Sequence, residues 1–550
     1  MIAINQQTHE DCCGCSACAQ TCPKACISMV PDEEGFLYPH VDAGKCVGCN
    51  RCEAACPILQ KPKFFNLTQK GARAFGGWHR DEKIRELSSS GGAFTLLAEH
   101  VLKLGGVVFG CALNEKMQAV HIGIDRIEDL DRLRRSKYVQ SDINGAYRSV
   151  RCALDAGRKV LFVGAPCQAA GLHAYLGTYH ENLYVCDFIC HGTPSQKVFD
   201  AYRTDLERRF GERITSFSFR NKDHGWHPSG LQLGTEAVTK SGARHRHFPA
   251  FRDAFMNGFL DDLYLRPSCY NCAFKCLPKY YASFTIADFW GVQRKHPELN
   301  DGKGTSLLLV HDRHGEELFD AVKGNFVYKE VPMADALVRN QSICKSVRAN
   351  KLRASFFQDF TRMPFVDVSR RYLTAATWIR HRILRVFESR VEQILIAVLK
   401  TLHWRHSENE VSSYMQFFRF CLVGLTNSAV SYGVNVLTLT ALSRWRLDYD
   451  YVIANIMAFL LSVLWAFYWN SRFVFATNRE NAGTRVRILF KTYLSYAFTD
   501  IVLNNVLATV WIFGLGVSKY VSPVLNLAIT VPLNFLFNKY FAHRTKRRCV

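Results

Sequence analysis

The pattern of apolar residues changes once along the chain, near residue 414. Before that point, short apolar runs alternate with polar stretches; after it, long apolar stretches occupy about 417–443, 450–470, 488–515 and 519–541. Each long stretch has room for a helix of about 20 residues, the length that crosses a membrane. The pattern therefore predicts a C-terminal all-α transmembrane domain of four spans at 414–545, behind a front part of mixed structure.

The front part alternates between two kinds of regular structure. KVLFVGAP (159–166) and LYVCDFIC (183–190) are short apolar runs followed by turn residues, which is typical of buried strands. AFTLLAEHVLKLG (93–105) and SQKVFDAYRTDLERRF (195–210) have the periodicity of helices. Strands that alternate with helices predict an α/β domain, which we place at 72–360.

A basic stretch at 370–413 joins the two parts of the chain. Between 378 and 402, apolar residues recur every three or four positions, with basic residues among them. This pattern predicts an amphipathic helix that either lies on anionic lipid headgroups or packs against its own domain, and both alternatives stay open. HSENEVSS (406–413) is predicted to be a linker.

The charge of the chain indicates an anionic partner. The formal net charge is +21, which is typical of proteins that bind nucleic acid or membrane lipid. From Tyr414 to Val550 there are 14 Lys and Arg against 4 Asp and Glu, placed between the apolar stretches. Membrane lipid is therefore the expected partner, and no nucleic acid is expected. By the positive-inside rule, the basic loop at 471–491 and the basic tail predict a multi-pass protein of the cell membrane with both termini, and therefore the N-terminal front part, in the cytoplasm.

Ten of the 21 cysteines fall within the first 56 residues. Such density is typical of a disulfide scaffold in a secreted protein or of metal binding inside a cell. The first residues, MIAINQQTHEDCC, contain no basic stretch followed by an apolar one, so we expect no signal peptide and a reducing compartment. Metal binding is the better interpretation.

The spacing of eight cysteines predicts two 4Fe-4S clusters at 1–62. The run C-x2-C-x2-C-x3-C-P occurs twice. In this bacterial pattern the fourth cysteine of each run binds the other cluster. Cluster one then takes Cys12, Cys15, Cys18 and Cys56, and cluster two takes Cys46, Cys49, Cys52 and Cys22. Zinc also binds C-x2-C pairs and is the alternative.

The remaining features of this segment fit the same interpretation. Gly14 and Gly48 suit the tight turns around a cluster, and Cys13 and Cys26, outside the pattern, are interpreted as packing residues. The segment resembles two-cluster ferredoxins along its whole length. The resemblance implies a ferredoxin-like α+β domain that passes electrons one at a time.

Four cysteines of the α/β domain occur beside turns instead of within apolar faces. They are Cys167, Cys190, Cys269 and Cys272. Each one alone is more often a buried structural cysteine, but together they have the number and ligand type for a third 4Fe-4S cluster. Cys276 is an alternative to one of them.

Several motifs in the same region resemble the beta subunit of coenzyme F420 hydrogenase and dehydrogenase, a flavoprotein family. In chain order they are SSSGGAF (88–94), VGAPCQAAGL (163–172), DFICHGTPS (187–195), FRNKDHGW (219–226), RPSCYNCAFK (266–275), TIADFWG (285–291) and GTSLLLV (304–310). The resemblance implies a bound FAD, a 4Fe-4S cluster near the flavin, and hydride chemistry with a deazaflavin or a related conjugated substrate.

Polar residues inside these motifs are candidates for binding FAD. The loop of Ser88, Ser89, Ser90, Gly91 and Gly92 is a flexible loop whose backbone N–H groups are expected to approach a phosphate, although a plain turn is the alternative. His191, His224 and Asp288 are candidates for orienting the flavin or donating a proton, and structural hydrogen bonding is the alternative for each. The sequence identifies no catalytic acid or base.

The C-terminal stretches contain an internal repeat. Phe467, Asn470 and Phe473 near the end of the second stretch match Phe535, Asn538 and Phe541 near the end of the fourth. With FRFCLVGLTNSAVSYG and WNSRFVF, this pattern resembles the GtrA-like family over about 415–545. The resemblance implies a role in surface-polysaccharide assembly through polyprenyl-phosphate-linked sugars. Asp500, within the third stretch, is expected either to be functional or to be a neutral helix contact.

These predictions combine into one leading function and two alternatives. The leading function is a membrane-anchored iron–sulfur flavoprotein oxidoreductase that reduces a substrate at the membrane, linked to polysaccharide or polyprenyl-phosphate-sugar metabolism. Its electron donor is expected to be a ferredoxin or a reduced deazaflavin. The alternatives are a component of a transporter for lipid-linked sugars with a fused redox module, and a deazaflavin (coenzyme F420) reductase.

Overall fold

The structure is a computed structural model. It describes residues 8–60, 72–227, 233–277, 281–374, 408–442, 450–474, 482–503 and 522–538, with isolated residues beside these ranges. The chain folds into two compact units, Met1–Arg382 and Ile383–Val550. Each unit is described by itself.

Two short helices and a hairpin form the N-terminal part of the first unit. The helices are α1 (Ala17–Thr21) and α2 (Arg51–Ala54), and the strands β1 (Ile27–Pro31) and β2 (Leu37–Val41) pair antiparallel. Cysteines make up much of the small core here, packed with three aliphatic residues, Ile4, Ile27 and Val41. This part therefore has the α+β composition that the sequence predicts for residues 1–62.

A mixed sheet of eight strands forms the centre of the first unit. The strands that follow the hairpin are β3 (Arg73–His79), β4 (Val107–Leu113), β5 (Ala119–Ile124), β6 (Val160–Val163), β7 (Leu183–Phe188), β8 (Ile214–Asn221), β9 (Gly234–Thr239), β10 (Arg244–His247), β11 (Phe284–Asp288), β12 (Ser306–Val310) and β13 (Phe326–Val331). The large sheet has the order β13-β3-β12-β11-β7-β6-β4-β5. Its neighbours β4–β6, β6–β7 and β7–β11 are parallel, and the others are antiparallel.

Helices cover both faces of this sheet. The helices of the first unit after α2 are α3 (Glu82–Leu87), α4 (Ala93–Lys103), α5 (Ala146–Asp155), α6 (Pro166–Leu176), α7 (Gln196–Phe210), α8 (Ala254–Leu260), α9 (Arg313–Val322), α10 (Met333–Leu337), α11 (Arg353–Phe360) and α12 (Phe365–Tyr372). Leu161 packs in the same core as α4 and α9, whereas its neighbours Val160 and Phe162 pack in the core of α5 and α6. Because both faces are buried, the central strands are continuously apolar.

The strands and helices predicted from the pattern of the front part are confirmed. The runs at 159–166 and 183–190 contain β6 and β7, and the helical stretches at 93–105 and 195–210 contain α4 and α7. Helix α7 begins after Ser195, whose hydroxyl accepts a hydrogen bond from the Val198 N–H, and ends before Gly211 with φ 68°. Beside the large sheet, β8, β9 and β10 form a small antiparallel sheet.

The N-terminal part packs against the α/β part within one compact unit. The side chain of Gln20 accepts a hydrogen bond from the Tyr147 N–H at 3.1 Å. Arg353 forms an ion pair with Glu34 of the hairpin, with 2.8 Å between Nη1 and Oε1. The sequence predicts 1–62 and 72–360 as separate domains; the structure shows how the first is held on the second.

Helices make up the described part of the second unit. They are α13 (Glu408–Leu442), α14 (Asp450–Trp469), α15 (Ala482–Ala497) and α16 (Ser522–Phe537), with π-helical segments at Asn470–Val474 and Phe498–Leu503. None of the helices within the described ranges is both long enough and apolar enough to cross a membrane. The composition agrees with an all-α domain, and the four spans stay a prediction.

Three other predictions concern this unit. Residues 408–413, expected to be linker, belong to α13. The predicted amphipathic helix at 378–402 lies outside the described residues. Asn470 and Asn538, the matching residues of the internal repeat, are both fully buried. Asp500 lies in the second π-helical segment, and its side chain is outside the description.

Candidate functional site

Two small cavities in the N-terminal part are each lined by cysteines. The first, which we call cavity one, is lined by Cys12, Cys15, Cys18 and Cys56, with Cys13 also at its wall. The second, cavity two, is lined by Cys22, Cys46, Cys49 and Cys52, with Cys26 also at its wall. The structure therefore brings together the same two groups of four cysteines that the spacing assigns to two clusters.

The two cysteine runs have the same backbone conformation. Gly14 and Gly48 both have φ of +67°, and Ser16 and Asn50, two residues further on, have φ of 63° and 55°. These left-handed residues turn each run around its cavity. Among the described residues, no three His, Cys, Asp or Glu side chains converge on the position of one metal ion.

The surroundings of the two cavities differ. At cavity two, Cys49 is exposed and the neighbouring Val47 has 61% of its surface exposed. At cavity one, Cys15 packs in the core between α5 and α6, and its chain neighbour Gly14 lies under the side chain of Arg266. Burial raises the pKa of Cys12 to about 11, although the Arg266 guanidinium acts in the opposite direction. Cavity two is therefore the outer one and cavity one the inner one.

The two cysteines outside the pattern, Cys13 and Cys26, contact candidate cluster ligands. The thiols of Cys15 and of Cys167 in the α/β part lie beside the Cys13 thiol, and their interaction with it lowers the pKa of Cys13 well below the ordinary value. Cys26 Sγ lies 3.3 Å from Cys22 Sγ. Cys13 thus connects cavity one with Cys167 of the α/β part. The sequence interpretation missed this contact.

The four cysteines proposed for a third cluster come together in the structure. Cys167 is in the first turn of α6, Cys190 follows β7, and Cys269 lies in the short 3₁₀ helix Pro267–Asn271, just before Cys272. Burial raises the pKa of Cys190 to about 12, and the nearby Cys269 and Cys272 raise it further. Cys167 is affected in the same way by Cys272 and Cys190. Cys167 and Cys190 come together because they follow the neighbouring strands β6 and β7. The bridge between Pro194 and Leu265 brings the segment of Cys269 and Cys272 to the same place.

A large cavity opens beside this group, at the carboxyl ends of the parallel strands. Its volume is about 640 Å³, within the range of about 300–1,000 Å³ that is usual for cofactor sites. The sequence-predicted residues that line it are Ser88, Ser89, Ser90, Gly92, Cys167, Cys190, His191 and Asp288. In open α/β sheets, ligands bind at this edge, because the strands there end in loops that converge.

The composition of the loop 88–92 predicts flexibility, but hydrogen bonds hold the loop in place. Ser90 Oγ donates a hydrogen bond to the Thr305 carbonyl at 2.8 Å, and the Gly91 N–H donates one to Ser306 Oγ at 2.9 Å. A Cβ on Gly91 would lie only 2.4 Å from the Gly77 carbonyl oxygen, so this position requires glycine. Gly91 therefore packs against β3 and β12 and does not line the cavity. Helix α4 starts two residues later, with its N-terminus at the cavity wall.

The polar candidates from the motifs have different surroundings. His191 Nε2 lies 2.6 Å from Asp262 Oδ1, at the cavity wall. Asp288 is held by Arg220 through two hydrogen bonds of 2.6 and 2.8 Å, and it also accepts one from Trp226 Nε1. Both residues therefore have structural partners as well as a place at the cavity. The ring of His224 lies tilted against that of Phe248, and His224 is not among the residues that line the cavity.

A basic group at the cavity escaped the sequence interpretation. Arg134, Arg135 and Lys137 line it. Asp288 is the one acidic residue among the described residues of the lining. Burial lowers the pKa of Lys137 to about 8, and its Nζ donates to the Arg134 carbonyl at 2.6 Å. The signal was the run RRSK at 134–137, which follows the 3₁₀ helix Ile127–Arg132. A basic wall favours an anionic ligand such as a pyrophosphate.

The residues fit a flavin dinucleotide and iron–sulfur clusters. The N-terminus of α4 and the basic wall suit phosphate groups, and the buried Nε of Arg220 has no hydrogen-bond partner in the described part of the chain. The eight cysteines around cavities one and two suit two clusters with thiolate ligands. The group around Cys167 suits a third.

Comparison with protein families shows three domains in chain order. Residues 11–58 match the 4Fe-4S dicluster domain, and residues 157–335 match the C terminus of the coenzyme F420 hydrogenase/dehydrogenase beta subunit. Residues 419–543 match the GtrA/DPMS transmembrane domain. The chain is therefore multidomain, with an iron–sulfur domain ahead of an F420-hydrogenase-type α/β domain and a GtrA-type membrane domain.

Individual relatives match single domains. The cell wall teichoic acid glycosylation protein GtcA of Listeria innocua is 25% identical over 101 residues, which are 18% of this chain and 69% of GtcA. The methylamine utilization ferredoxin-type protein MauM of Methylophilus methylotrophus is 32% identical over 85 residues; these are 13% of this chain and span 38% of MauM. A chain of the F420-reducing [NiFe] hydrogenase complex from Methanosarcina barkeri aligns with 51% of this chain and 91% of its own length, at 15% identity and a TM-score of 0.33.

Proposed function

We propose that the protein is a membrane-anchored iron–sulfur flavoprotein oxidoreductase, which passes electrons from a low-potential donor through 4Fe-4S clusters to FAD and a reducible substrate. One observation carries the proposal. Cysteines of both small cavities share one core, and Cys13 of cavity one lies beside Cys167, which lines the large cavity together with Cys190. Such a series is expected where electrons have to cross from the surface to a buried cofactor.

The cysteine groups define which residues would hold each cluster. Cluster one would be held by Cys12, Cys15, Cys18 and Cys56, and cluster two by Cys22, Cys46, Cys49 and Cys52. A third cluster would be held by Cys167, Cys190, Cys269 and Cys272. The proximity of Cys13 to Cys167 would place clusters one and three at adjoining positions.

The large cavity is the proposed place of FAD. Its phosphates would face the N-terminus of α4 and the basic wall at 134–137, while the loop 88–92 supports that end of the cavity. Flavin supplies the connection between one-electron carriers and two-electron chemistry. Lys137 is a half-buried titratable group of this wall whose pKa, about 8, suits exchange of a proton near neutral pH. His191, next to Cys190, is held in place by Asp262.

The C-terminal domain indicates where the substrate is presented. The related GtcA is a teichoic acid glycosylation protein. By that likeness, the proposed substrate is a polyprenyl-phosphate-linked sugar or the lipid itself, reached from the cytoplasmic side of the cell membrane. Four spans with both termini in the cytoplasm would place the cysteine-rich part in the reducing compartment, where such clusters are stable.

The first experiment is anaerobic purification of the full chain, with iron, sulfide and flavin quantified in one sample. We expect about twelve irons and about one FAD per chain, from three 4Fe-4S clusters and the flavin site. Low-temperature electron paramagnetic resonance of the reduced protein should show interacting clusters. About eight irons without flavin would keep the N-terminal domain and refute the redox function of the α/β part.

A second candidate function is a transporter component for lipid-linked sugars, which the match of residues 419–543 to the GtrA/DPMS domain favours. In that case truncation after Arg405 should leave electron transfer intact and abolish glycan export. Unchanged export in cells with residues 414–550 deleted would refute it.

A third candidate is a deazaflavin reductase, which the match of residues 157–335 favours. The purified protein, mixed with coenzyme F420 and a low-potential donor, should then change the absorbance of the deazaflavin. No change, in a preparation that contains both iron and flavin, would refute this candidate.

A further inference from the structure

Arg266 of the α/β part reaches into the wall of cavity one. Its side chain is buried, with 1% of the residue exposed. Nε donates a hydrogen bond to the Cys12 carbonyl at 2.8 Å, and Nη2 lies 3.8 Å from Cys12 Sγ. The guanidinium therefore contacts both the backbone and the thiol of a proposed ligand of cluster one.

The other contacts of Arg266 among the described residues are with neutral groups. Nη1 donates to the amide oxygen of Gln140 at 3.0 Å, and Nη2 donates to the Leu37 carbonyl at 3.0 Å. The guanidinium lies 4.2 Å from the ring centre of Tyr38. These partners are neutral oxygens and an aromatic ring. A buried cation with such partners is costly unless a negative group lies nearby.

A cluster held by four thiolates is the negative group that this geometry fits. Reduction by one electron makes such a cluster more negative, so a buried cation beside it favours the reduced form. Hydrogen bonds to the sulfur atoms act in the same direction. Arg266 offers both the charge and an N–H directed at Cys12 Sγ.

The backbone of the first cysteine run is adapted to Arg266. A Cβ on Gly14 would lie 2.7 Å from Arg266 Nη1. Gly48 is the counterpart in the second run and has the same φ of +67°, but nothing lies within 4 Å of a Cβ there. The guanidinium of Arg266 therefore approaches the backbone of the first cysteine run closely, and the second run has no such contact at Gly48. At cavity two the lining cation is Lys24, which is exposed and screened by water.

We propose that Arg266 sets the reduction potential of cluster one, keeping it high enough for electrons that arrive at cluster two to move inward. The inference rests on the proposed function, because it requires both clusters. In this step cluster two loses one electron and cluster one gains it, and no bond forms or breaks. Without Arg266, the burial of cluster one would disfavour the added negative charge and would reverse the gradient. Arg266 acts on cluster one through its positive charge and does not contact the substrate.

The test is a potentiometric titration of the full chain in detergent, followed by electron paramagnetic resonance. Arg266→Gln keeps hydrogen-bonding capacity and removes the charge. We expect the ratio of reduced to oxidised cluster one, at a fixed applied potential, to fall at least tenfold, which is 59 mV for one electron. The signals of the other clusters should keep their midpoints.

Two further variants separate charge from structure. Arg353→Gln removes another arginine that joins the same two parts, through Glu34 of the hairpin, but it contacts no candidate ligand and should leave every midpoint unchanged. Arg266→Lys keeps the charge and should hold the ratio within threefold of the native one. If Arg266→Gln fails to retain its iron, the lysine variant decides.

Two outcomes would overturn the inference. One is an Arg266→Gln protein with native iron content and unchanged midpoints. The other is an Arg266→Lys protein with the same tenfold loss as the glutamine variant, because the charge would then not be the cause. A native protein that lacks two N-terminal clusters would instead refute the proposed function, and the iron determination on the native chain shows this first.

Discussion

Replacing Arg220 by methionine isolates a buried carboxylate at the edge of the large cavity. The side chains of Arg220 and Asp288 are 5% and 11% exposed, and their two hydrogen bonds measure 2.6 and 2.8 Å. Breaking a buried ion pair by removal of one partner costs about 3–5 kcal/mol, because the other charge is left uncompensated. We expect Arg220→Met to lose about this much free energy of unfolding.

The expected change in melting temperature follows from the size of the folded unit. Met1–Arg382 has 382 residues, and the unfolding entropy is about 2.1 cal/mol/K per residue, so the unit unfolds with about 0.8 kcal/mol/K. A loss of about 4 kcal/mol therefore lowers the melting temperature by about 5 °C. The double variant Arg220→Met/Asp288→Asn has no unpaired charge and keeps an acceptor for Trp226, so it should lose only about 2 °C.

The assay is thermal unfolding of the full chain in detergent, followed by near-ultraviolet circular dichroism. Arg73→Met is a matched control, because Arg73 pairs with Glu330 in a pair whose side chains are 43% and 50% exposed. Exposed pairs contribute about 0–1 kcal/mol, so this variant should change the melting temperature by about 1 °C or less. A loss under about 1 °C in Arg220→Met, or a double variant as unstable as the single one, would refute the reasoning.

Three further predictions concern separate parts of the first unit. Burial lowers the pKa of His121 to about 4, so the unfolded chain takes up the proton first as the pH falls. The free energy of unfolding should therefore drop by about 3 kcal/mol between about pH 6.5 and 4. His121→Gln should remove that part of the pH dependence of thermal unfolding. Gly91→Ala should lower the flavin content measured by absorbance, because its Cβ meets the backbone of β3, whereas Gly324→Ala, with open space around its Cβ, should not; equal losses would contradict this. Cys18→Ser and Cys52→Ser should each lose about four irons but alter different resonance signals, and loss of the same signal in both would show that the two cavities do not hold separate clusters.

The local features of the chain follow from short stretches of sequence. Strands β6 and β7 are predictable because each is a short apolar run ended by turn residues, and α7 because its periodicity is flanked by Ser195 and Gly211. The two cysteine runs are predictable because every ligand of a run lies within eleven residues. In all these cases the physical cause, hydrogen bonding or turn geometry, acts between near neighbours.

Contacts with distant residues give several parts of the chain surroundings that the sequence did not indicate. The serine- and glycine-rich loop at 88–92 has a flexible composition, but hydrogen bonds to Thr305 and Ser306, more than 200 residues away, fix it. His224 belongs to a shared motif, and its ring lies tilted against that of Phe248. The basic run at 134–137 was overlooked because charged residues are usually on the surface; only the fold shows that Lys137 is half-buried at a cavity.

The sequence by itself determined the order of the domains and two strands of the central sheet, and it predicted the pairing of cysteines into two groups of four, because spacing and periodicity are local properties of a chain. Tertiary structure alone decided which cavity is inner and which is outer. It also placed Arg266, 254 positions from Cys12, beside that cysteine. Two runs with the same spacing and the same backbone thus acquire different environments, because packing buries one of them against a charged side chain and leaves the other in water.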